Sequence, residues 1–185
     1  MKYINVILLF LLSIFYSNYS QADDLVISEL QKGGKIVFIR HSLAPGNGDP
    51  DNIDLKKCDT QRNLNQEGVE QSKKIGKLFK DNNIKIDKVL SSEWCRCKDT
   101  ARLAFNKFMT ADFLNSFYSS KFAKNKNIKI FNLKKYIKNY KGKKNLIFIT
   151  HYVVISEVLD YASSSGEIVV SDKNFNIIGT LEINY

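Results

Sequence analysis

Apolar residues in this chain follow two rhythms: short unbroken runs, and longer stretches where they return every three or four positions. The run Ile36-Val37-Phe38-Ile39 ends in Arg40-His41, and Leu146-Ile147-Phe148-Ile149 ends in Thr150-His151. Such Val/Ile/Phe-rich runs read as strands buried on both faces, as in a parallel sheet. Asp87 to Ser91 reads as a further strand. The helical rhythm fills the gaps. Asn65 caps a helix with Glu67 in its first turn and Val69, Ile75 and Phe79 on one face. Ala101, Ala104, Phe105 and Phe108 predict a helix over Trp94 to Phe108. Ile130, Leu133, Ile137 and Tyr140 predict another from Ile128, with Gly142 as its stop. Val153 to Tyr161 forms the helix behind the second histidine's strand, and Glu167 to Ser171 with Ile177 to Ile183 make two closing strands across the turn Asp172-Lys173-Asn174.

This alternation predicts a three-layer α/β/α sandwich with a mostly parallel sheet. No internal repeat or linker divides it. Two stretches carry no readable period: Ser42 to Asn63, which holds both prolines, Gly46, Gly48 and four aspartates, and Met109 to Asn127.

The beginning of the chain changes the boundaries. Lys2, the apolar stretch Val6 to Phe15, and Ser20-Gln21-Ala22 have the three-part pattern of a secretory signal, so residues 1–22 are expected to be removed and 23–185 to form one domain. The apolar core is shorter than the ~20 residues of a spanning helix. The expected product is periplasmic or secreted, with no stable membrane insertion after cleavage.

Charge adds a preference for anions: the whole sequence carries a formal +9. Much of the excess lies in lysine runs such as Lys121 to Lys126 and Lys141 to Lys144, with no helix-turn-helix, zinc-finger or RNA-binding signature beside them, so nucleic acid is not an expected partner. The three cysteines allow one disulfide, from Cys58 to either Cys95 or Cys97, and leave one thiol over. Zinc is the poorer reading, because the spacing is Cys-x-Cys and no histidine is to spare.

Open α/β sheets place their chemistry beyond the carboxyl ends of their strands, where both histidines fall. Arg40 sets a fixed cation beside His41, a pairing suited to attack on phosphorus while the phosphoryl oxygens are held. Arg96 lies in the first turn of a helix that starts where a neighbouring strand ends, and amides at that terminus are expected to face anions. Two arginines and two imidazoles around one pocket suit a phosphoryl group with charge spread over three oxygens. Taken alone, an arginine such as Arg96 is more commonly a helix-face salt-bridge partner, here of Asp99 or Asp87.

Four motifs, in order, resemble the histidine phosphatase superfamily, the branch with cofactor-dependent phosphoglycerate mutases and small phosphohistidine phosphatases. They are Phe38-Ile39-Arg40-His41, Arg62-Asn63-Leu64-Asn65-Gln66-Glu67-Gly68, the segment Ser91 to Ala101 with Ser-Ser-x-x-x-Arg-x-x-x-Thr-Ala spacing, and Ile149-Thr150-His151. The resemblance implies a phosphoglycerate mutase-like fold. It makes His41 a nucleophile that is phosphorylated transiently, while Arg40, Arg96 and His151 hold the phosphoryl group. Asn47 and Arg62 are its substrate-binding candidates, and neither metal nor cofactor is expected. Two departures stand out. Ser42 follows His41 where the signature usually has Gly, and Phe113 to Phe117, matching the stretch where many members carry a leaving-group Glu, contains no acid. Asp112 and Glu157 lie nearby in sequence but match no family position. The expected function is an exported phosphatase acting on phosphomonoesters or phosphoramidates of a small molecule or polymer. The alternative is a weak or inactive member of the fold that binds a phosphorylated ligand or protein partner.

Overall fold

The computed structural model describes residues 22–184, and the expected leader, apart from Ala22, lies outside the described residues. The strands are β1 (Ile36–Arg40), β2 (Ile86–Ser91), β3 (Met109–Thr110), β4 (Asn145–Thr150), β5 (Ile168–Ser171) and β6 (Ile177–Leu181). The helices are α1 (residues 22–32), α2 (Gln66–Asp81), α3 (Cys95–Phe105), α4 (Ser120–Ala123), α5 (Lys126–Asn139) and α6 (Tyr152–Leu159). None of the described helices is long and apolar enough to cross a membrane.

The strands form one sheet in the order β3-β2-β4-β1-β5-β6. β1, β2, β3 and β4 run parallel, and β5 and β6 close the sheet antiparallel. Side chains alternate across each strand, so each strand feeds two cores. Val37, Ile39, Ile147, Ile149 and Val170 meet Val26 and Leu30 of α1, Ile75 and Phe79 of α2 and Ala101 of α3 on one face. Ile36, Phe38, Leu146, Phe148 and Val169 meet Leu133 and Ile137 of α5 and Val154 and Ile155 of α6 on the other. This is the three-layer, mostly parallel sandwich that the alternation predicts.

Several ends differ from the sequence reading, each for a local reason. α3 stops at Phe105, three residues early, because Asn106 takes a left-handed conformation (φ 62°) and turns Phe108 out of the helical register. α5 ends at Asn139 with Tyr140 extended, so Gly142 does not cap it. Gly142 serves the Tyr140 ring instead: a Cβ there would lie 2.1 Å from the phenolic oxygen, which donates to Lys144 O at 2.9 Å. α1 has no counterpart in the sequence reading. Within Met109 to Asn127 lie β3, a 3-10 turn at Asp112–Leu114 and α4.

Candidate active site

Register brings the histidines together. Arg40 pairs with Thr150 across β1 and β4, and His41 N donates to Thr150 O at 2.9 Å, so the residues leaving the two strands emerge side by side. The imidazole centroids are 5.5 Å apart, edge to face. β2 lies on the far side of β4, and α3 begins four residues after it, carrying Arg96 to the same sheet edge.

The Arg62 to Gly68 motif braces this edge. Asn65 Oδ1 accepts from Gly68 N at 2.9 Å and starts α2 as the cap rule expects. A Cβ on Gly68 would meet Leu43 O at 2.1 Å, so only glycine lets this first turn touch the loop that follows His41. In the third motif, Thr100 Oγ1 accepts from Ser42 N at 3.0 Å and fixes the backbone next to His41. Ser42, the departure from the signature, is fully buried and donates to Ser72 Oγ at 2.8 Å, which donates in turn to Gly68 O at 2.8 Å, so the Ser42 hydroxyl is satisfied.

All six candidate residues, Arg40, His41, Asn47, Arg62, Arg96 and His151, line one cavity of about 330 Å³. His41 Nδ1 lies 2.8 Å from Ser42 O. A carbonyl only accepts, so Nδ1 carries the proton and Nε2 keeps its lone pair. The tautomer of His151 follows from a longer chain. Asn115 Oδ1 accepts from Glu93 N at 2.8 Å and from Ser92 Oγ at 3.0 Å, so the Ser92 hydroxyl proton is committed there. His151 Nε2, 2.9 Å from Ser92 Oγ, is therefore the donor, and Nδ1 holds the lone pair.

Both imidazoles are held well below their usual 6.5, first by burial and next by the charge of Arg96. The unfolded chain binds protons on both below about pH 6.5 and the folded protein does not, so stability rises with pH through this range and levels above it. Denaturant unfolding between about pH 5.5 and 7.5 is expected to show a histidine contribution approaching two protons. His41→Asn should remove half of it, and an unchanged slope would contradict the assignment.

The arginines differ in what holds them. Arg40 donates to Ser163 O at 2.7 Å and sits 5.6 Å from the Tyr152 ring centroid. Arg62 braces the loop through Gly48 O at 2.8 Å and Ala44 O. Arg96, expected opposite Asp99 or Asp87 if it were only structural, pairs with neither: its guanidinium meets both oxygens of Asp49 at 2.7 and 3.1 Å, while Asp99 pairs with Arg102. Burial alone would raise the Asp49 carboxyl, but the bonds and charge of Arg96, with Arg62 N and Trp94 Nε1 also donating, hold it below the ordinary range. The Nε atoms of Arg40 and Arg96 are buried with no partner. Both side chains line the cavity, and guanidiniums with hydrogen-bonding capacity left over suit an anion there.

The amides at the α3 terminus, expected to face an anion, are in part taken up by protein. The Cys95 amide donates to Gln61 Oε1 at 2.9 Å and the Cys97 amide to Trp94 O at 3.0 Å, so at these two positions the helix start is satisfied by protein. Cys58 is bridged to Cys95, and Cys97 is the free, buried thiol, pushed up to about 12 by burial. The disulfide ties the loop after His41 to the residue before Arg96 and closes a loop of 37 residues. Replacing both cysteines by serine is expected to destabilise the fold by about 2–4 kcal/mol and lower Tm by roughly 10 °C, measured by calorimetry.

Asp49 was not legible in advance, since nothing separated it from the three other aspartates of its loop. Asp49 and Asp51 are the acids that line the cavity among the described residues. Neither Asp112 nor Glu157 reaches it, and Glu157 pairs with Lys126 at 2.6 Å. Ser116 contributes to the wall from the acid-free stretch, and Tyr118, Lys121, Phe122 and the buried Trp94 also line it. With neutral imidazoles, three arginines and Lys121 against two aspartates leave the lining at +2, matched to a phosphate dianion.

The family model described as histidine phosphatase superfamily (branch 1) matches residues 36–112. Comparison with the curated proteins finds no match. Among solved structures, the protein histidine phosphatase SixA complexed with tungstate is similar over 80% of this chain and 96% of its own, with TM-score 0.55 and 14% identity. Phosphoglycerate mutase from Thermus thermophilus is similar over 81% of this chain and 99% of its own, with TM-score 0.55 and 13% identity. At these identities the likeness is one of fold.

Proposed function

Since this chain is a member of the histidine phosphatase superfamily by its matched residues and its fold, we propose that it is an exported, metal-independent phosphatase working through a phosphohistidine on His41. One observation carries the reading: an imidazole nitrogen with a free lone pair shares a cavity with three guanidiniums, two of which bear buried, unpartnered N–H groups.

His41 Nε2 attacks phosphorus while the P–O or P–N bond to the leaving group breaks. Arg40 and Arg96 neutralise charge on the equatorial oxygens, work that guanidiniums at fixed positions do without a metal ion. His151 has its lone pair on the Nδ1 side, so it donates to a phosphoryl oxygen only after taking up a proton, which a bound dianion favours. Water then attacks the phosphohistidine, the P–N bond breaks, and inorganic phosphate leaves with His41 neutral again. The tetrahedral oxyanion tungstate complexed by SixA fits the same scheme.

Asp49 is committed to Arg96 and Asp51, the other lining acid, is exposed to solvent, so leaving-group protonation has no buried, dedicated acid in this site. Substrates that leave well unaided, phosphoramidates and esters of acidic alcohols, are therefore favoured. Across a series of aryl phosphates, kcat/KM is expected to fall steeply as the leaving-group pKa rises, and a flat series would argue for an acid. Export is supported by the leader pattern and by the Cys58–Cys95 bridge, which persists in oxidising compartments.

Turnover of an aryl phosphate that survives a chelator and is blocked by vanadate tests the reading. Tight vanadate binding with no turnover of any ester or phosphoramidate would leave the binding-only alternative in its place.

A further inference from the structure

Basic charge is segregated in this protein. Between Phe113 and Ser156 lie ten of its 28 Lys and Arg residues and none of its 19 acidic ones, so the rest of the sequence is close to neutral. The centre of this stretch is α5. Its inward side buries Leu133 and Ile137 and turns Lys129 onto Asp112 O at 2.8 Å. Its outward side carries Ile128, 54% exposed, and Phe131, 59% exposed. Positions 128, 131, 135 and 138 are spaced by three, four and three, so these two apolar side chains form one stripe with Lys135 and Lys138, and Lys134 borders it. Lys135 Nζ lies 6.0 Å from the Phe131 ring centroid.

Among the described residues no carboxylate forms a salt bridge with Lys134, Lys135 or Lys138. Glu157 is taken by Lys126, at the start of α5, and Asp87 shares the groove along the helix flank with Lys135, Tyr136 and Tyr140. Ser119 to Phe122 line the cavity, and α5 begins four residues later in the chain.

We propose that the outward face of α5 docks the protein on an anionic lipid bilayer, with Phe131 and Ile128 entering the headgroup layer and Lys134, Lys135 and Lys138 meeting lipid phosphates. A purely ionic polymer would pair the lysines but offer no medium for two exposed apolar side chains at their centre. An anionic bilayer does both. The inference concerns a surface and holds whether or not the cavity turns over phosphate.

The test is flotation of the purified protein with mixed phosphatidylglycerol and phosphatidylcholine vesicles, against phosphatidylcholine alone. Binding is expected only with the anionic lipid. Each lysine contributes roughly fivefold in partitioning at an anionic surface, so the neutralising triple variant K134Q/K135Q/K138Q should bind about 100-fold more weakly. Phe131→Ser, which keeps every charge, should bind about tenfold more weakly. Aryl phosphate turnover in solution should be unchanged in both, and the Phe131→Ser variant carries the test alone if the triple variant melts early. Equal binding to neutral vesicles, undiminished binding of both variants, or a Phe131→Ser variant that binds like the parent while soluble heparin competes fully would each overturn the proposal. The last would assign the face to a polyanion or an acidic protein.

Discussion

His41→Ala is expected to lower kcat/KM for an aryl phosphate by at least about 10⁴-fold while the circular dichroism spectrum stays that of the parent. The size follows from what is removed. Nδ1 is bound to Ser42 O, so Nε2 is the nitrogen with a lone pair, whereas the other lining imidazole, His151, has Nε2 bound to Ser92 and its lone pair on Nδ1. Cys97, the remaining sulfur nucleophile, is buried and held as a thiol at neutral pH. Ser92 has its proton on Asn115 and accepts from His151. Without His41 the phosphoryl group is still bound, so binding of vanadate should fall far less than turnover. A variant that retains a tenth of parental activity would remove His41 from the role of nucleophile.

Arg96→Met is expected to have the next largest effect, and on two readouts at once. Loss of one guanidinium from a phosphoryl site lowers kcat/KM by about 10³-fold. The same change strands Asp49, whose side chain is 13% exposed and whose partner is 3% exposed, and should cost about 3 kcal/mol of stability in denaturant unfolding. The second variant separates the two. Asp49→Asn in the Arg96→Met background removes the stranded charge and should recover most of the stability but none of the activity. Recovery of both would mean that Arg96 acts only as the counter-ion of Asp49.

Asp49 also marks where sequence reading ends. His41 and His151 were legible because each closes an apolar run, and parallel register then leaves adjacent strand ends no choice but to meet. Arg96 was legible through its spacing from Ser91-Ser92 and Thr100-Ala101, and the structure adds the reason for that spacing, since Thr100 Oγ1 holds the amide after His41. Gly68 was legible as part of a motif, and its close approach to Leu43 O explains why the motif ends in glycine. Asp49 and Asn115 act through tertiary geometry alone: one sits in a loop with no period, the other in the stretch between β3 and α4. No local pattern announces that a loop carboxylate will fold back 47 residues onto an arginine. α1 was hidden for a different reason: it follows directly on the expected leader, and only Val26 and Leu30, spaced by one helical turn, enter the core from it as buried residues.

The overall layers were legible because buried strands and amphipathic helices differ in period. Element ends were not, because Asn106 and Tyr140 end their helices through a left-handed turn and a buried ring rather than through glycine.

Rapid quenching of the enzyme with phosphorus-labelled aryl phosphate, followed by peptide mapping, tests the central claim most directly. The account predicts label on His41 that is lost in acid, stable in alkali and absent from His41→Ala. Steady turnover with no labelled protein at any time, or label recovered on another residue, would contradict it.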